Sequence, residues 1–315
     1  MFAKVETFHS PSGARLAWRF QPAAAAERGV LMISHGLSEH AARYERFAGF
    51  MAERGFHVYA HDHRGHGATR AADAPLGRYA AAQGIQKVLA DVRAMRDLAA
   101  GRHPELPVIL FGHSMGGLIA LNAAEEDPIL YDGLAVWNSN FNPGLAGRAA
   151  QAILAIEKML KGSDVPSSLL PRLTFGAWGK SISNPRTPFD WLSHDTAEVE
   201  KYVADPLCGF DASVSLWIDL FNLTFDGAKI ERLRRLPRAL PVHLVGGGED
   251  PATNGGREIG WLAKRLKALG FSRVTTRIYS TMRHETLNEI ERDGAMRDFA
   301  EWCLILAREH QRVPA

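Results

Sequence analysis

Apolar positions along the 315-residue chain fall into two alternating rhythms. Short apolar runs of strand length recur: GVLMIS (Gly29–Ser34), HVYAHD (His57–Asp62), VILFG (Val108–Gly112), LAVWNS (Leu134–Ser139), VHLVGG (Val242–Gly247) and VTTRIY (Val274–Tyr279). Between them lie stretches with helical spacing. Tyr44–Arg54 sets Phe47, Phe50 and Met51 on one side and stops at Gly55, and Ile85–Ala100 carries Val88, Val92, Met95 and Leu98/Ala99 as its stripe. Leu118–Glu126, Glu258–Leu269 and Ala295–Arg308 keep the same period. Strand–helix alternation predicts an α/β fold, with mostly parallel strands joined by crossovers and helices on both faces of the sheet. Ahead of it, Lys4–His9 and Ala14–Phe20 flank Ser10-Pro11-Ser12-Gly13 and read as a β-hairpin.

The alternation stops between Asn140 and about Leu236, where the pattern turns helical and aromatic (Phe175, Trp178, Phe189, Trp191, Phe210, Trp217). The predicted organisation is a core of residues 1–139 and 237–315 interrupted by a helical insertion over residues 140–236. The first helix of the insertion, Leu145–Lys161, puts Ala149, Ile153, Ile156 and Leu160 on one side. Packing on the core accounts for that stripe, and transient contact with a membrane surface is the sharper alternative.

Composition narrows the class. Apolar residues at 46% and charged residues at 23% are ordinary globular usage, and 37 basic against 35 acidic residues leave too little excess for a nucleic-acid binder. The two cysteines, Cys208 and Cys303, lie far apart and read as free thiols of a reducing compartment. The start MFAKVETFHSPSG lacks a secretory pattern and no apolar run reaches 18 residues, so a soluble, cytoplasmic protein is expected.

The chemistry concentrates in the loops after the strands. Gly112-His113-Ser114-Met115-Gly116-Gly117 follows the VILFG strand and opens a helix. A bare GxSxG match is weak, but in strand–turn–helix context it marks a nucleophilic serine on a sharp turn. A capping serine in a glycine-rich turn is the competing reading, and a phosphate loop lacks its Gly-Lys-Ser/Thr. Serine needs a base. His284, in Met282-Arg283-His284-Glu285, is selected among 13 histidines because it follows the last strand and precedes the final helix. Asp250, after Gly246-Gly247-Gly248-Glu249, takes the place of the orienting carboxylate, with Glu249 as the neighbouring alternative. The resulting order, Ser–Asp–His, is the α/β-hydrolase order. A second oxyanion donor is expected from His35-Gly36-Leu37-Ser38, where the Leu37 N–H would join that of Met115. His35 then holds the loop. The cluster His61-Asp62-His63-Arg64-Gly65-His66 invites a zinc reading but lacks a completing ligand block, so Asp62 and Arg64 are read as bracing a turn. Glu39 and Arg43 read as a helix-start i,i+4 ion pair worth about 0.3–0.5 kcal/mol.

These stretches resemble the α/β-hydrolase superfamily, and within it the monoacylglycerol lipase and bacterial lysophospholipase group, also described as serine aminopeptidase S33-like. The likeness covers nearly the whole chain. It rests on HGLSEHAARYERFAGFMAERGFHVYAHDHRGHG (His35–Gly67), GHSMGG (Gly112–Gly117), GGGEDPA (Gly246–Ala252) and RHETLNE (Arg283–Glu289), with FDWLSHD (Phe189–Asp195) and ADPLCGFD (Ala204–Asp211) inside the insertion. The resemblance implies an α/β-hydrolase fold with a helical lid over Asn140 to about Leu236, Ser114, Asp250 and His284 as catalytic triad, and Leu37 and Met115 as oxyanion donors. Thr69 departs from the family, standing where a serine usually follows the RGHG turn. The expected activity is serine carboxylester hydrolysis of a small-molecule or lipid ester with one acyl chain, of monoacylglycerol or lysophospholipid type, with no cofactor and no metal. Two alternatives stay open. An aminopeptidase would want a lid carboxylate such as Asp190 or Asp219 for the substrate ammonium, and a non-catalytic ligand binder would use the same fold. Nothing in the pattern bears on oligomeric state.

Overall fold

The computed structural model describes residues 2–312. Eight strands form one sheet: β1 (Glu6–His9), β2 (Arg15–Gln21), β3 (Gly29–Ser34), β4 (Phe56–His61), β5 (Val108–His113), β6 (Gly133–Trp137), β7 (Val242–Gly247) and β8 (Val274–Tyr279), in the order β1-β2-β4-β3-β5-β6-β7-β8. β2 runs antiparallel to both its neighbours, and every pair from β4 to β8 is parallel. The apolar runs of β3 to β7 follow from burial on both faces, whereas β8 at the sheet edge is only partly covered. Val30 and Met32 of β3 join one core with Val108 and Leu110 of β5, while Leu31 and Ile33 join the opposite core with Ile109 and Phe111.

Helices α1 (Glu45–Ala52), α2 (Gly84–Arg102) and α3 (Met115–Glu126) connect the first strands, and the insertion between β6 and β7 supplies α4 (Gly144–Lys161), α5 (Leu170–Leu173), α6 (Phe175–Lys180), α7 (Thr196–Ala204), α8 (Val214–Asp226) and α9 (Ile230–Leu233). Helices α10 (Arg257–Ala268) and α11 (Arg292–His310) complete the chain. The sequence expectation of a helix from Tyr44 is refined: a 3₁₀ turn over Ala41–Tyr44 precedes α1, which ends at Ala52. No described helix is long and apolar enough to cross a membrane.

Strand order reverses at β3, because the chain passes to β4 on one side and returns to β5 on the other. Open α/β sheets bind ligands at the carboxyl ends of strands around such a reversal. Ser34 and Gly112 are register partners, so the loops leaving β3 and β5 emerge side by side.

One expectation fails in α4. Its buried residues are Gly147, Ala150, Leu154 and Glu157, whereas Ala149, Ile156 and Leu160 of the expected stripe are exposed and Ile153 is half-buried. Small residues select the packed face. A Cβ on Gly147 would come within 2.5 Å of the Pro143 ring and 3.0 Å of Phe225, so the close approach leaves the larger apolar side chains facing outward.

Candidate active site

β5 delivers the chain into a sharp turn. Ser114 sits at φ 54°, ψ −120°, a conformation non-glycine residues adopt only when their surroundings fix it. Those surroundings are visible. The Ser114 N–H donates to Trp137 O at 2.8 Å, and Ser114 O accepts from Ser139 Oγ at 2.7 Å. A Cβ on Gly112 would meet Gly116 O at 2.1 Å, and one on Gly116 would meet Ser34 O at 1.9 Å. The turn therefore closes only with glycine at both positions.

The structure brings Ser114, His284 and Asp250 into one hydrogen-bonded chain. His284 Nε2 lies 2.9 Å from Ser114 Oγ, and His284 Nδ1 lies 3.0 Å from each Asp250 oxygen. Asp250 is fully buried and also accepts from Ala252 N–H (2.9 Å), Thr253 Oγ1 (2.7 Å) and Asn138 Nδ2 (3.1 Å). Burial would raise its carboxyl, but the His284 charge and these hydrogen bonds outweigh that and hold it below the ordinary value. Glu249, the alternative acid, is exposed and pairs with His194 Nε2 at 3.2 Å.

Leu37 and Met115 lie beside Ser114 on the wall of the same cavity. Met115 opens α3, where the first N–H groups have no intrahelical acceptor. The Leu37 loop is held from several sides. His35 Nδ1 donates to Gly36 O at 2.8 Å while its Nε2 accepts from the His63 N–H at 2.9 Å, which keeps the ring neutral and structural. Ser38, at φ 55°, has its carbonyl bound by Tyr202 OH (3.0 Å) and Gly209 N–H (2.9 Å) of the insertion.

The Glu39–Arg43 pair is corrected from a helix-start contact to the centre of a buried network. Arg43 donates to Glu39 Oε2 at 2.6 Å and to both Glu285 oxygens at 2.6 and 2.7 Å. Glu39 Oε1 accepts from the Gly36 N–H at 2.5 Å and Tyr44 OH at 2.9 Å, and His113 Nδ1 approaches it at 3.6 Å. The other His113 nitrogen, Nε2, donates to the His284 carbonyl at 3.0 Å. Burial disfavours an imidazolium at His113, but Glu39 overrides it and raises its pKa. Burial likewise opposes the Glu39 charge, and Arg43 with His113 pulls that carboxyl well below its ordinary value. A bridge from the Leu37 loop to the His284 loop results. Sequence reasoning named Glu39 and Arg43 but missed Glu285 and His113, although both sit inside the RHETLNE and GHSMGG blocks.

The insertion braces the His284 loop through FDWLSHD. Arg283 Nη1 donates to Asp190 O (2.7 Å), the Glu285 N–H to Leu192 O (2.7 Å), and Ser193 Oγ to Asn288 O (2.9 Å). The Trp191 ring packs against the His284 imidazole at 5.0 Å between centroids.

Known proteins share the sequence pattern and the fold. The family model described as serine aminopeptidase, S33 matches residues 25–291. The chain belongs to this family. Among curated relatives, monoglyceride lipase of Mus musculus is 28% identical over 240 residues, covering 76% of this chain and 70% of its own. Monoacylglycerol lipase of Mycolicibacterium smegmatis is 26% identical over 300 residues, covering 95% and 96%. Among solved structures, a thermostable carboxyl esterase from Bacillus coagulans in complex with glycerol superposes with TM-score 0.85 at 23% identity, covering 96% and 98%. A soluble variant of monoglyceride lipase from Saccharomyces cerevisiae gives TM-score 0.74 at 17% identity, covering 98% and 94%. The S33-family chain is a hydrolase on the α/β-hydrolase fold.

Ser114 and His284 open onto a cavity of about 560 Å³, within the range of small-molecule sites. The insertion gives it an apolar lining that includes Ala150, Ile153, Leu170, Trp217, Leu220 and Phe221, to which α3 adds Leu118. The first residues of the insertion after β6, the loop after β7 and the first turn of α10 give a polar wall with Asn140, Asn142, Asn254 and Glu258. Neither aspartate weighed for an ammonium lines it. Asp190 accepts from the Arg186 and Thr187 N–H groups, and Asp219 lies against Gly84 at the start of α2.

The histidine cluster after β4 is engaged in the turn. His63 Nε2 pairs with Ser34 Oγ at 2.9 Å and His66 Nδ1 donates to Arg64 O at 3.0 Å, while burial lowers His61 and His66 to about 3. Arg64 is fully buried, donating to Tyr79 O and Asp73, and Asp62 accepts from the Ala41 and Ala68 N–H groups. Thr69 donates to Asp62 O at 2.6 Å and accepts from the Ala17 N–H at 2.9 Å, so a hydroxyl serves there. Among the described residues, two groups outside this cluster have metal-ligand proximity. In Glu27/His57/His103, His57 Nδ1 accepts from Ala23 N–H, which puts its proton on Nε2, the nitrogen facing Glu27. In His40/Asp205/Cys208, His40 Nε2 is already paired with Asp205 Oδ2 at 2.8 Å.

Proposed function

We propose that this hydrolase is a serine carboxylester hydrolase that cleaves lipid esters carrying one acyl chain, of monoacylglycerol or lysophospholipid type, through an acyl-enzyme. The reading is carried by the hydrogen-bonded Ser114–His284–Asp250 chain opening onto a cavity with one apolar wall. His284 Nε2 takes the Ser114 proton as Oγ attacks the ester carbonyl, and the N–H groups of Leu37 and Met115 hold the oxyanion. The imidazolium then gives its proton to the departing alkoxide. Water, deprotonated by the same imidazole, attacks the acyl carbon, and collapse returns the proton to Ser114 as the acid leaves. Asp250 keeps Nδ1 protonated and stabilises the imidazolium throughout.

The insertion over residues 140–236 serves as the lid, with the acyl chain against its apolar wall. On its outer surface Leu145, Met159 and Leu160 are 89%, 86% and 82% exposed and Ile156 is 57% exposed, an apolar face suited to transient contact with a lipid surface. The free thiols Cys208 and Cys303 support a cytoplasmic location.

The test is labelling and turnover. A fluorophosphonate probe should label wild type and not Ser114→Ala, and the variant should lose about 10⁴-fold or more in kcat on p-nitrophenyl esters. Labelling that survives the substitution overturns the nucleophile assignment. Labelling without turnover of any ester would favour the ligand-binder alternative.

A further inference from the structure

The two walls of the cavity differ in charge as well as polarity. Among the described residues, Glu258 is the only Asp, Glu, Lys or Arg lining it. It projects from the first turn of α10, is half-buried, and has no hydrogen-bond or salt-bridge partner among the described residues. Its neighbours are committed elsewhere. Arg257 binds Asn254 through both the carbonyl oxygen and the side-chain amide oxygen, so the adjacent cation is engaged with its own loop. Asn140 Nδ2 donates to Ala252 O at 3.3 Å and its Oδ1 accepts from the Asn142 N–H, which ties the loops after β6 and β7 into one polar wall. A carboxylate left unpaired beside a partly apolar cavity attracts positive charge, accepts hydrogen bonds from hydroxyls and repels anions more strongly than it would in open water.

We infer that Glu258 is a specificity-determining residue for the alcohol half of the substrate, selecting a hydroxyl-rich or cationic group and rejecting an anionic one. The inference rests on the hydrolase reading above and refines it. The acyl chain occupies the insertion wall, so the departing alcohol faces Asn140, Asn142, Asn254 and Glu258. A glycerol or an amino alcohol can donate hydrogen bonds or present positive charge there. A phosphomonoester on the same alcohol places like charge beside Glu258 and loses water without gaining a partner. Neutral monoacylglycerols and acyl amino alcohols are therefore the favoured class, and acyl glycerol phosphates the disfavoured one.

The experiment compares three esters with one lauroyl chain, lauroylglycerol, lauroylcholine and lauroylglycerol 3-phosphate, each kept below its micellar concentration. The readout is the ratio of kcat/KM values. Wild type should prefer lauroylcholine and lauroylglycerol over the phosphate by at least tenfold. Glu258→Gln should cut the choline-to-phosphate ratio about tenfold, and Glu258→Lys should bring it to one or below. A ratio is indifferent to the fraction of folded protein, so a poorly folding variant still reports. If wild type hydrolyses the esters through Ser114 but neither variant moves the ratio, the Glu258 inference fails while the hydrolase reading stands. If none of the esters is hydrolysed, the carboxylester-hydrolase reading fails and takes this refinement with it. Alanine p-nitroanilide serves as a fourth substrate, since Glu258 would also bind the ammonium of an aminoacyl amide. Turnover of the anilide above that of the esters, lost in Glu258→Gln, would move the subsite to the acyl side and overturn the assignment to the alcohol.

Discussion

The two halves of the insertion differ in how they meet the loops that carry Leu37, Ser114 and His284. Asp190–Phe210 is bolted to them: Arg283, Glu285 and Asn288 are bonded to Asp190–Ser193, and the Ser38 carbonyl is held by Tyr202 and Gly209. Gly144–Lys180 makes no hydrogen bond to the Leu37, Ser114 or His284 loops among the described residues and meets the cavity through apolar side chains. Directional bonds fix distances, whereas apolar contact tolerates changes of shape. On the function proposed above, the first half therefore belongs with the chemistry, which needs its atoms within a fraction of an ångström. The second belongs with substrate accommodation, which needs an adaptable wall.

The largest effects should come from the fixed side. Asp250→Asn should lower kcat by about 10³–10⁴, because an amide cannot both accept from Nδ1–H and stabilise the imidazolium. Glu249→Gln, one residue away but exposed, should stay within about twofold of wild type. Steady-state kinetics on a soluble ester decides it, and the reverse result would move the acid to Glu249.

The next effect is on stability. Arg43–Glu285 is a two-bond pair with side chains 11% and 6% exposed. Glu285→Gln leaves Arg43 with one carboxylate partner in a buried site and should cost about 3–5 kcal/mol. Breaking the exposed Arg186–Glu200 pair on the insertion should cost far less, within the ordinary range of surface pairs. Urea melts of both variants measure the contrast. Equal losses would mean that the bridge beneath the active site contributes no more than a surface contact.

How much of this was legible in the sequence depended on how local the governing physics is. Strands buried on both faces appear as continuous apolar runs, and β3 and β7 begin and end where those runs do, while the edge strand β8 keeps the expected bounds with half-buried and exposed residues alternating along most of it. Ser114, Asp250 and His284 stand out in the sequence because each follows a strand, and parallel strands bring those loops to one edge. The Glu39–Arg43 spacing was also visible, but burial of the pair depends on Glu285, 242 residues from Arg43. The α4 face was misread for a related reason. Large apolar residues dominate a hydrophobic stripe, but Gly147 and Ala150 decide which side can approach α8 and Pro143. Glu258 was visible only as part of an ordinary helix, since the carboxylate's relation to the cavity comes from the fold.

A smaller effect is expected from His113. Its pKa is raised above the ordinary 6.5, because Glu39 overcomes burial. The stabilisation is fully present below pH 6.5 and is lost as pH rises through the raised value. His113→Asn lacks that titration, so the stability difference between wild type and variant should shrink from pH 6 to pH 9. Thermal melts across that range check it. A difference independent of pH would mean that His113 acts without its charge.

The smallest effect should come from the outer face of α4. Met159 and Leu160 are almost wholly exposed, and nothing in the catalytic framework touches them. Their apolar surface is removed from water only when another apolar phase covers it, at roughly 25 cal/mol per Å². Partial insertion of two such side chains is worth about 1–2 kcal/mol, or roughly tenfold in partitioning. Met159→Ser with Leu160→Ser should therefore lower binding to phospholipid vesicles about fivefold to tenfold in a sedimentation assay. Turnover of a monomeric ester should change little, because the fixed half of the insertion is untouched. If vesicle binding is unaltered, that face serves some purpose other than lipid contact. If monomer turnover falls as well, the two halves are more tightly coupled than their bonding indicates.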